Sequence, residues 1–238
     1  MKDYLSVVYN ESRTPKTDYP YQLTAYLGKR YNIKEGSRIL EIGFGRGEFL
    51  NAFHEMGLSC CGVDICPCDH VFGQDIKVDY IDVGKDSLPY ENDFFDVVYH
   101  KSLIEHLYTP DHLMKETHRV LKSGGKGRVI ILTPDWASQM AVFYEDFTHS
   151  RPYDQTAMKD LLSVYGFKQV ESQLFYQLPL VWQYPLVKLI CLFLQFFLST
   201  PRARQLAKIT NMKFFRWSVE LMVLGSGIKQ PSECDHKD

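Results

Sequence analysis

Three glycines at alternate positions, Gly43, Gly45 and Gly47, follow an acidic residue, Glu41, in the stretch 38–47 (RILEIGFGRG). Glycine takes positive φ without penalty and lets another molecule approach the bare backbone. Set between an apolar strand and a helix beginning at Glu48, such a loop can hold a nucleoside-like group at the carboxyl end of a parallel strand. A dinucleotide would require the spacing G-x-G-x-x-G. Glu48 occupies the position of its last glycine, which disfavours a pyrophosphate on the helix N-terminus. Asp64 comes 21 residues after Gly43, at the end of the next apolar run, where a carboxylate can accept both hydroxyls of a ribose.

A second group of residues suits proton transfer. The segment 144–153 (YEDFTHSRPY) carries His149 three residues after Asp146. An imidazole titrates near ~6.5 in water, so it can take a proton at neutral pH, and a carboxylate can orient it. The alternative is that Asp146 and His149 cap a helix starting near Asp154. His106, preceded by Glu105, is a second candidate base, whereas His54, His70, His112 and His118 show no pairing pattern. Cys60, Cys61, Cys66, Cys68 and His70 are close in sequence, but adjacent strand residues face opposite ways and no C-x-x-C pair is present. No metal ligand set is therefore expected, and the six cysteines read as reduced thiols of a cytoplasmic protein.

Alternating elements must position these groups. Residues 20–31 read as a helix leading into strand 38–42, and helix 48–56 ends at Gly57. Strands 59–64 and 78–82 end at Asp64 and Asp82, and 94–99 is a near-continuous apolar run of the buried parallel kind. Helix 111–122 follows Pro110, strand 128–132 comes next, and helix 155–165 is closed by Gly166 before strand 167–175. Repeated βα units predict one α/β domain, a doubly wound, mostly parallel seven-stranded sheet with helices on both faces. A net charge of −2 gives no general attraction for nucleic acid.

The pattern Glu41-x-Gly43-x-Gly45-x-Gly47 resembles motif I of the class I S-adenosylmethionine-dependent methyltransferases. Two further segments resemble that family: 87–107, with LPYENDFFDVV and LIEHL, and the turn LKSGG at 121–125 before a strand. The matches cover about residues 38–135 in family order. The resemblance implies a Rossmann-like fold and S-adenosyl-L-methionine as cofactor. It implies that Glu41 fixes the glycine loop and the cofactor's amino group, that Asp82 contacts the adenine amino group, and that Val83 packs on the ring. His100, in the segment after the fourth strand, is expected to flank the cofactor. That segment, YHKS at 99–102, is not an Asn/Asp-Pro-Pro-Tyr box, which argues against methylation of an exocyclic base amine or of glutamine. The loop holding Asp146 and His149 resembles the DxTHxRxY/F loop of bacterial methyltransferases of surface-glycan and lipid biosynthesis. It implies methyl transfer to a small or lipid-linked acceptor, foremost a hydroxyl of a glycan precursor. Methylation of a quinone or other lipid, and a non-catalytic cofactor-binding protein at a membrane, stand as alternatives.

Between Ser172 and Val219 there is no acid, while Lys188, Arg202, Arg204, Lys208, Lys213 and Arg216 add six positive charges. The run at 186–198 is rich in Leu and Phe, but Lys188 and Gln195 interrupt it before the roughly 20 apolar residues a spanning helix needs. This region can be a lid, a dimer surface or a peripheral membrane contact through 178–216, with its cations on anionic headgroups. The organisation expected is a helical cover at 1–37, a cofactor-binding core at 38–177, a helical insertion at 178–212, and a last strand (217–224) with tail within 213–238. Residue types leave the acceptor and the oligomeric state open.

Overall fold

The computed structural model describes residues 15–67, 73 and 75–230; Cys68, His70 and Cys234 lie outside them, as do residues 1–14 of the cover expected at 1–37. Seven strands pair in the order β3-β2-β1-β4-β5-β7-β6. They are β1 (Arg38–Ile42), β2 (Ser59–Asp64), β3 (Lys77–Tyr80), β4 (Val97–Lys101), β5 (Arg128–Pro134), β6 (Phe167–Tyr176) and β7 (Leu221–Lys229). The sheet is mostly parallel; β1 lies between β2 and β4, with Leu40 beside Cys61 on one side and Val98 on the other. This is the doubly wound α/β arrangement that the alternating pattern predicts.

The chain divides into two compact units. The first comprises Met1–His100, Thr109–Ile130 and Ile228–Asp238. Its helix α1 (Tyr19–Tyr31) starts with Pro20 in its first turn and stops at Asn32 in the left-handed conformation. Helix α2 (Glu48–Glu55) buries Leu50, Ala52 and Phe53. Gly62 of β2 makes this packing possible, because a Cβ there would lie 2.7 Å from Leu50 and 2.8 Å from Phe44. The strand, the helix and the glycine loop are thereby held against one another. Helix α3 (Asp111–Val120) carries Arg119, which bonds Glu116, Asn92 and the carbonyls of Leu88 and Tyr90. Lys229 is only 8 % exposed, with its ammonium on Asp93 and on the carbonyls of Arg119 and Leu121.

The second unit comprises Lys101–Tyr108 and Ile131–Gly227. It holds α4 (Trp136–Gln139), α5 (Gln155–Val164), α6 (Pro179–Gln183), α7 (Val187–Phe197), α8 (Thr200–Thr210) and α9 (Lys213–Val219). Asp154 caps α5 by accepting from the Ala157 N–H, so the cap is neither Asp146 nor His149. Tyr176, Leu178, Cys191 and Leu221 form a buried cluster against which Phe214 and Trp217 pack.

That packing corrects one expected boundary. The run 217–224 reads as a strand, yet 213–219 is helical and β7 begins at Leu221. Phe214 and Trp217 are three residues apart, so a helix points both at the Cys191 cluster where a strand would split them. The insertion therefore consists of α6 to α9 and runs to Val219. Among the described residues no helix is long and apolar enough to cross a membrane.

Candidate active site

In the first unit Gly43, Gly45 and Gly47 all have positive φ, at 74°, 52° and 75°. Gly47, which has no side chain to cap it, is the N-cap of α2, while Glu48 in the first turn pairs with Arg46 at 2.7 Å. Asp64 ends β2 at 9 % exposure. Its Oδ2 accepts the Gly45 N–H at 2.8 Å and its Oδ1 accepts the Cys66 N–H at 2.9 Å. The carboxylate thus locks the middle of the glycine loop to the tip of the neighbouring strand. Glu41 is buried in β1, and its charge adds to burial in raising the Tyr99 phenol pKa.

Bare positive-φ backbone, a helix N-terminus headed by glycine and a strand-end carboxylate form a cradle that fits a ribonucleoside. The remaining expected cofactor residues are placed differently. Strand β3 ends at Tyr80, so Asp82 lies in the following turn. There it accepts from the Gly84 N–H at 3.0 Å and pairs with Lys85 at 2.9 Å, which holds its pKa below the usual carboxylate value. Val83 beside it is 9 % exposed. His100 is wholly buried and neither ring nitrogen has a hydrogen bond among the described residues; burial pushes its pKa down to about 3. The reason is that β4 runs on to Lys101, so His100 is a strand residue enclosed by the fold, where the sequence suggested a loop.

In the second unit the 3-10 turn Ile104–His106 and the loop after β5 are tied together at one atom. The Glu105 carbonyl accepts the N–H of Ser150 at 2.8 Å, the N–H of Arg151 at 3.0 Å and the Ser150 hydroxyl at 3.2 Å. This brings the His106 and His149 rings to 4.9 Å. The Asp146 carboxylate Oδ1 accepts the Thr148 hydroxyl at 2.6 Å and the Thr148 N–H at 3.0 Å, and the same hydroxyl lies 2.8 Å from His106 Nδ1. A hydroxyl has one proton, and it goes to the carboxylate. Thr148 Oγ1 therefore accepts from His106 Nδ1–H, which leaves the lone pair of the neutral ring on Nε2.

His149 Nδ1 is 2.7 Å from the Phe143 carbonyl, which can only accept, so this ring too carries its lone pair on Nε2. Asp146 therefore orients His106 through Thr148, where the sequence suggested that it orients His149. Burial, then the neighbouring His149, lowers the His106 pKa, with Asp146 opposing. Glu105 is wholly buried, and burial raises its carboxyl to about 7. Its Oε2 accepts the Thr133 hydroxyl at 2.9 Å, and its Oε1 has no hydrogen-bond partner among the described residues. One donor atom each from Glu105, His106 and His149 lie within 4.8 Å of one another. Thr133, Thr148 and the Phe143 carbonyl were missed in the sequence; the spacing Asp146-x-Thr148, a side-chain turn, was the one available signal.

The family model described as a methyltransferase domain matches residues 13–172, which include the glycine loop, Asp64 and both histidines. The chain belongs to this methyltransferase family. Its curated relatives include the sterol 4-C-methyltransferase of Caenorhabditis elegans, 28% identical over 139 residues, or 53% of this chain and 41% of that protein. The ubiquinone biosynthesis O-methyltransferase of Sinorhizobium medicae (strain WSM419) is 30% identical over 97 residues, 38% of this chain and 39% of that protein. The chain thus spans about two-fifths of the length of each of these relatives. In fold the methyltransferase is similar to Haemonchus contortus phosphoethanolamine N-methyltransferase 2, solved with phosphomonomethylethanolamine and S-adenosylhomocysteine. The TM-score is 0.63 at 17% identity, covering 95% of this chain and 59% of that one.

Proposed function

We propose that this methyltransferase moves the methyl group of S-adenosyl-L-methionine to a hydroxyl of a lipid-linked acceptor. The cofactor, when bound, supplies a sulfonium methyl carbon open to in-line displacement. In the cradle, Asp64 would bind the ribose hydroxyls, the Gly43–Gly47 loop would lie against the nucleoside, and Glu41 would fix the loop from beneath. An alcohol is a poor nucleophile until its proton leaves, so a hydroxyl acceptor needs a base where an amine would need less help. The observation that carries the reading is the pair of imidazoles whose Nδ1–H groups are bonded to Thr148 and Phe143, with both lone pairs on Nε2. His149 is the preferred base and His106 the second. His149, through its Nε2 lone pair, would take the proton that the acceptor hydroxyl gives up on methylation.

The lipid part of the reading is supported by α7. Leu189, Phe193, Phe196 and Phe197 are 63%, 65%, 84% and 59% exposed, next to Arg202 and Lys208 in a segment without acids. An apolar helix face flanked by cations suits an anionic membrane interface. Two of the cations expected on headgroups are engaged within the protein instead, since Arg204 pairs with Glu145 and Glu220 and Arg216 with Glu220. A glycan precursor on a lipid carrier remains one form of the acceptor. The relative named for O-methylation in ubiquinone biosynthesis favours a second form, a hydroxyl on a quinone-type lipid.

The test is to incubate the purified protein with methyl-labelled cofactor and fractionated membrane lipids. Alkali-stable label in the organic phase is expected. It should fall at least 100-fold in His149→Ala, while titration with S-adenosylhomocysteine gives an unchanged Kd. Label confined to protein or nucleic acid, or cofactor binding with no turnover on any fraction, would overturn the proposal.

A further inference from the structure

We propose that Glu105, His106 and His149 bind one first-row divalent cation, through Glu105 Oε1 and the Nε2 atoms of both imidazoles. Three facts point to it independently of the reaction. The first is proximity: one possible ligand atom from each of the three residues already lies within 4.8 Å of the others. Around a cation with ligand distances near ~2.1 Å they would stand ~3–3.4 Å apart, so small side-chain rotations complete the set.

The second is the arrangement behind the donors. A metal-bound histidine nearly always donates its other N–H to a carbonyl, carboxylate or similar acceptor, which sets the tautomer and aims the ring. His149 Nδ1 meets the Phe143 carbonyl at 2.7 Å, and His106 Nδ1 meets Thr148 Oγ1 at 2.8 Å, with Asp146 behind that hydroxyl. Glu105 is steadied likewise by the Thr133 hydroxyl on Oε2. The third is Glu105 Oε1, a carboxylate oxygen in a wholly buried residue with no hydrogen bond among the described residues. An orphan acceptor of this kind costs stability unless something binds it, and a cation between the two imidazoles would do so.

Two nitrogens, one oxygen and no thiolate match iron(II), manganese(II), cobalt(II) or zinc(II) better than calcium or magnesium, which prefer all-oxygen sites. Three protein ligands leave further coordination positions open. The chemical consequence rests on the proposed function. An acceptor hydroxyl bound at an open position would lose its proton to solvent, its pKa lowered by the cation, and the imidazoles would act as ligands in place of the base. The oxygen–carbon and sulfur–carbon bond changes stay the same.

The experiment uses tag-free full-length protein, stripped by dialysis against a chelator and titrated calorimetrically with cobalt(II) and with zinc(II). One equivalent should bind, with a visible cobalt absorption, and affinity should drop at least 100-fold in His149→Ala and in Glu105→Gln. Asp146→Asn should keep the stoichiometry and weaken binding about tenfold, as expected for a partner standing behind a ligand. Circular dichroism checks that each variant is folded; should Glu105→Gln fail to fold, His149→Ala decides alone, since its side chain is in a loop and only partly buried. No uptake near one equivalent, or uptake undiminished in His149→Ala, overturns the site. Methyl transfer that survives such a failure leaves the function standing. Cation binding without methyl transfer to any lipid fraction refutes the function and leaves the site.

Discussion

Replacing Asp64 separates what holds the glycine loop from what the loop holds. In the native protein the carboxylate accepts two backbone N–H groups, from Gly45 at 2.8 Å and Cys66 at 2.9 Å. Hydrogen bonds to a charged group contribute about 1.5–3 kcal/mol each. Asp64→Asn keeps one carbonyl acceptor and turns an NH2 group towards the other N–H, so it should lose about one such bond, 1.5–3 kcal/mol. Asp64→Ala should lose both. Part of that loss lowers the stability of the protein without cofactor. The rest appears in binding, because an untethered Gly45 must be ordered again and a ribose hydroxyl loses its acceptor. Since 1.4 kcal/mol is tenfold in Kd, S-adenosylhomocysteine affinity should fall roughly 10- to 100-fold in Asp64→Asn and further in Asp64→Ala. The assay pairs urea unfolding without ligand with isothermal titration. A clear drop in stability with an unchanged Kd in Asp64→Ala would mean that the carboxylate only braces the loop, and the cradle would lose its assignment.

Three further perturbations test other parts of the structure. His100 has its pKa depressed to about 3 by burial, so between the ordinary value near 6.5 and 3 the unfolded chain binds a proton that the folded chain refuses. Stability from this group is complete above pH 6.5 and falls with acidification by up to about 1.4 kcal/mol per pH unit; His100→Phe should remove that slope in urea unfolding at pH 7, 6 and 5, and identical slopes would refute it. Glu220, with a side chain only 2% exposed, takes both Arg204 and Arg216. Glu220→Gln should cost near the lower end of the ~3–5 kcal/mol for breaking a buried pair, as both arginines are partly solvated; a loss under about 1 kcal/mol in urea unfolding would contradict the bridging role. Phe193→Ser with Phe196→Ser should leave thermal stability unchanged but weaken binding to anionic vesicles at least 100-fold, at ~1.5–3 kcal/mol per phenylalanine withdrawn from the interface; equal sedimentation with vesicles would count against the membrane face.

How legible each part was in the sequence follows from how far apart its residues lie. The cradle is nearly local: an apolar run makes β1, the glycines make the turn, and the next apolar run ends at Asp64. One hydrogen bond between neighbouring strand ends completes it. The errors are of two physical kinds. At 213–219 the aromatic residues suit a strand, but contact with the Cys191 cluster selects a helix. At His100 the strand continues two residues past the expected end, and a position read as loop becomes interior. The histidine–glutamate cluster was legible only as separate candidates, because Thr148 and His106 are 42 residues apart and meet through the Glu105 carbonyl. Tautomers and an unpaired oxygen are properties of that meeting and leave no trace in residue spacing.

The division between shared and particular features also bears on the acceptor. The family match ends at residue 172, whereas α6 to α9 occupy Pro179–Val219. The family model thus spans the cradle and the loops bearing His106 and His149. On the proposed function, selection among hydroxyls would fall to the segment beyond it. There the fold fills only one side of the new helices: Cys191 is fully buried, while Phe193, Phe196 and Phe197 point outward on the same helix. Six large apolar side chains left in water on α7, with Leu189, Ile190 and Leu192 beside the three phenylalanines, would be a standing cost for a protein acting on a small polar metabolite. For one that takes its acceptor from a lipid phase, the same surface would be the means of reaching it.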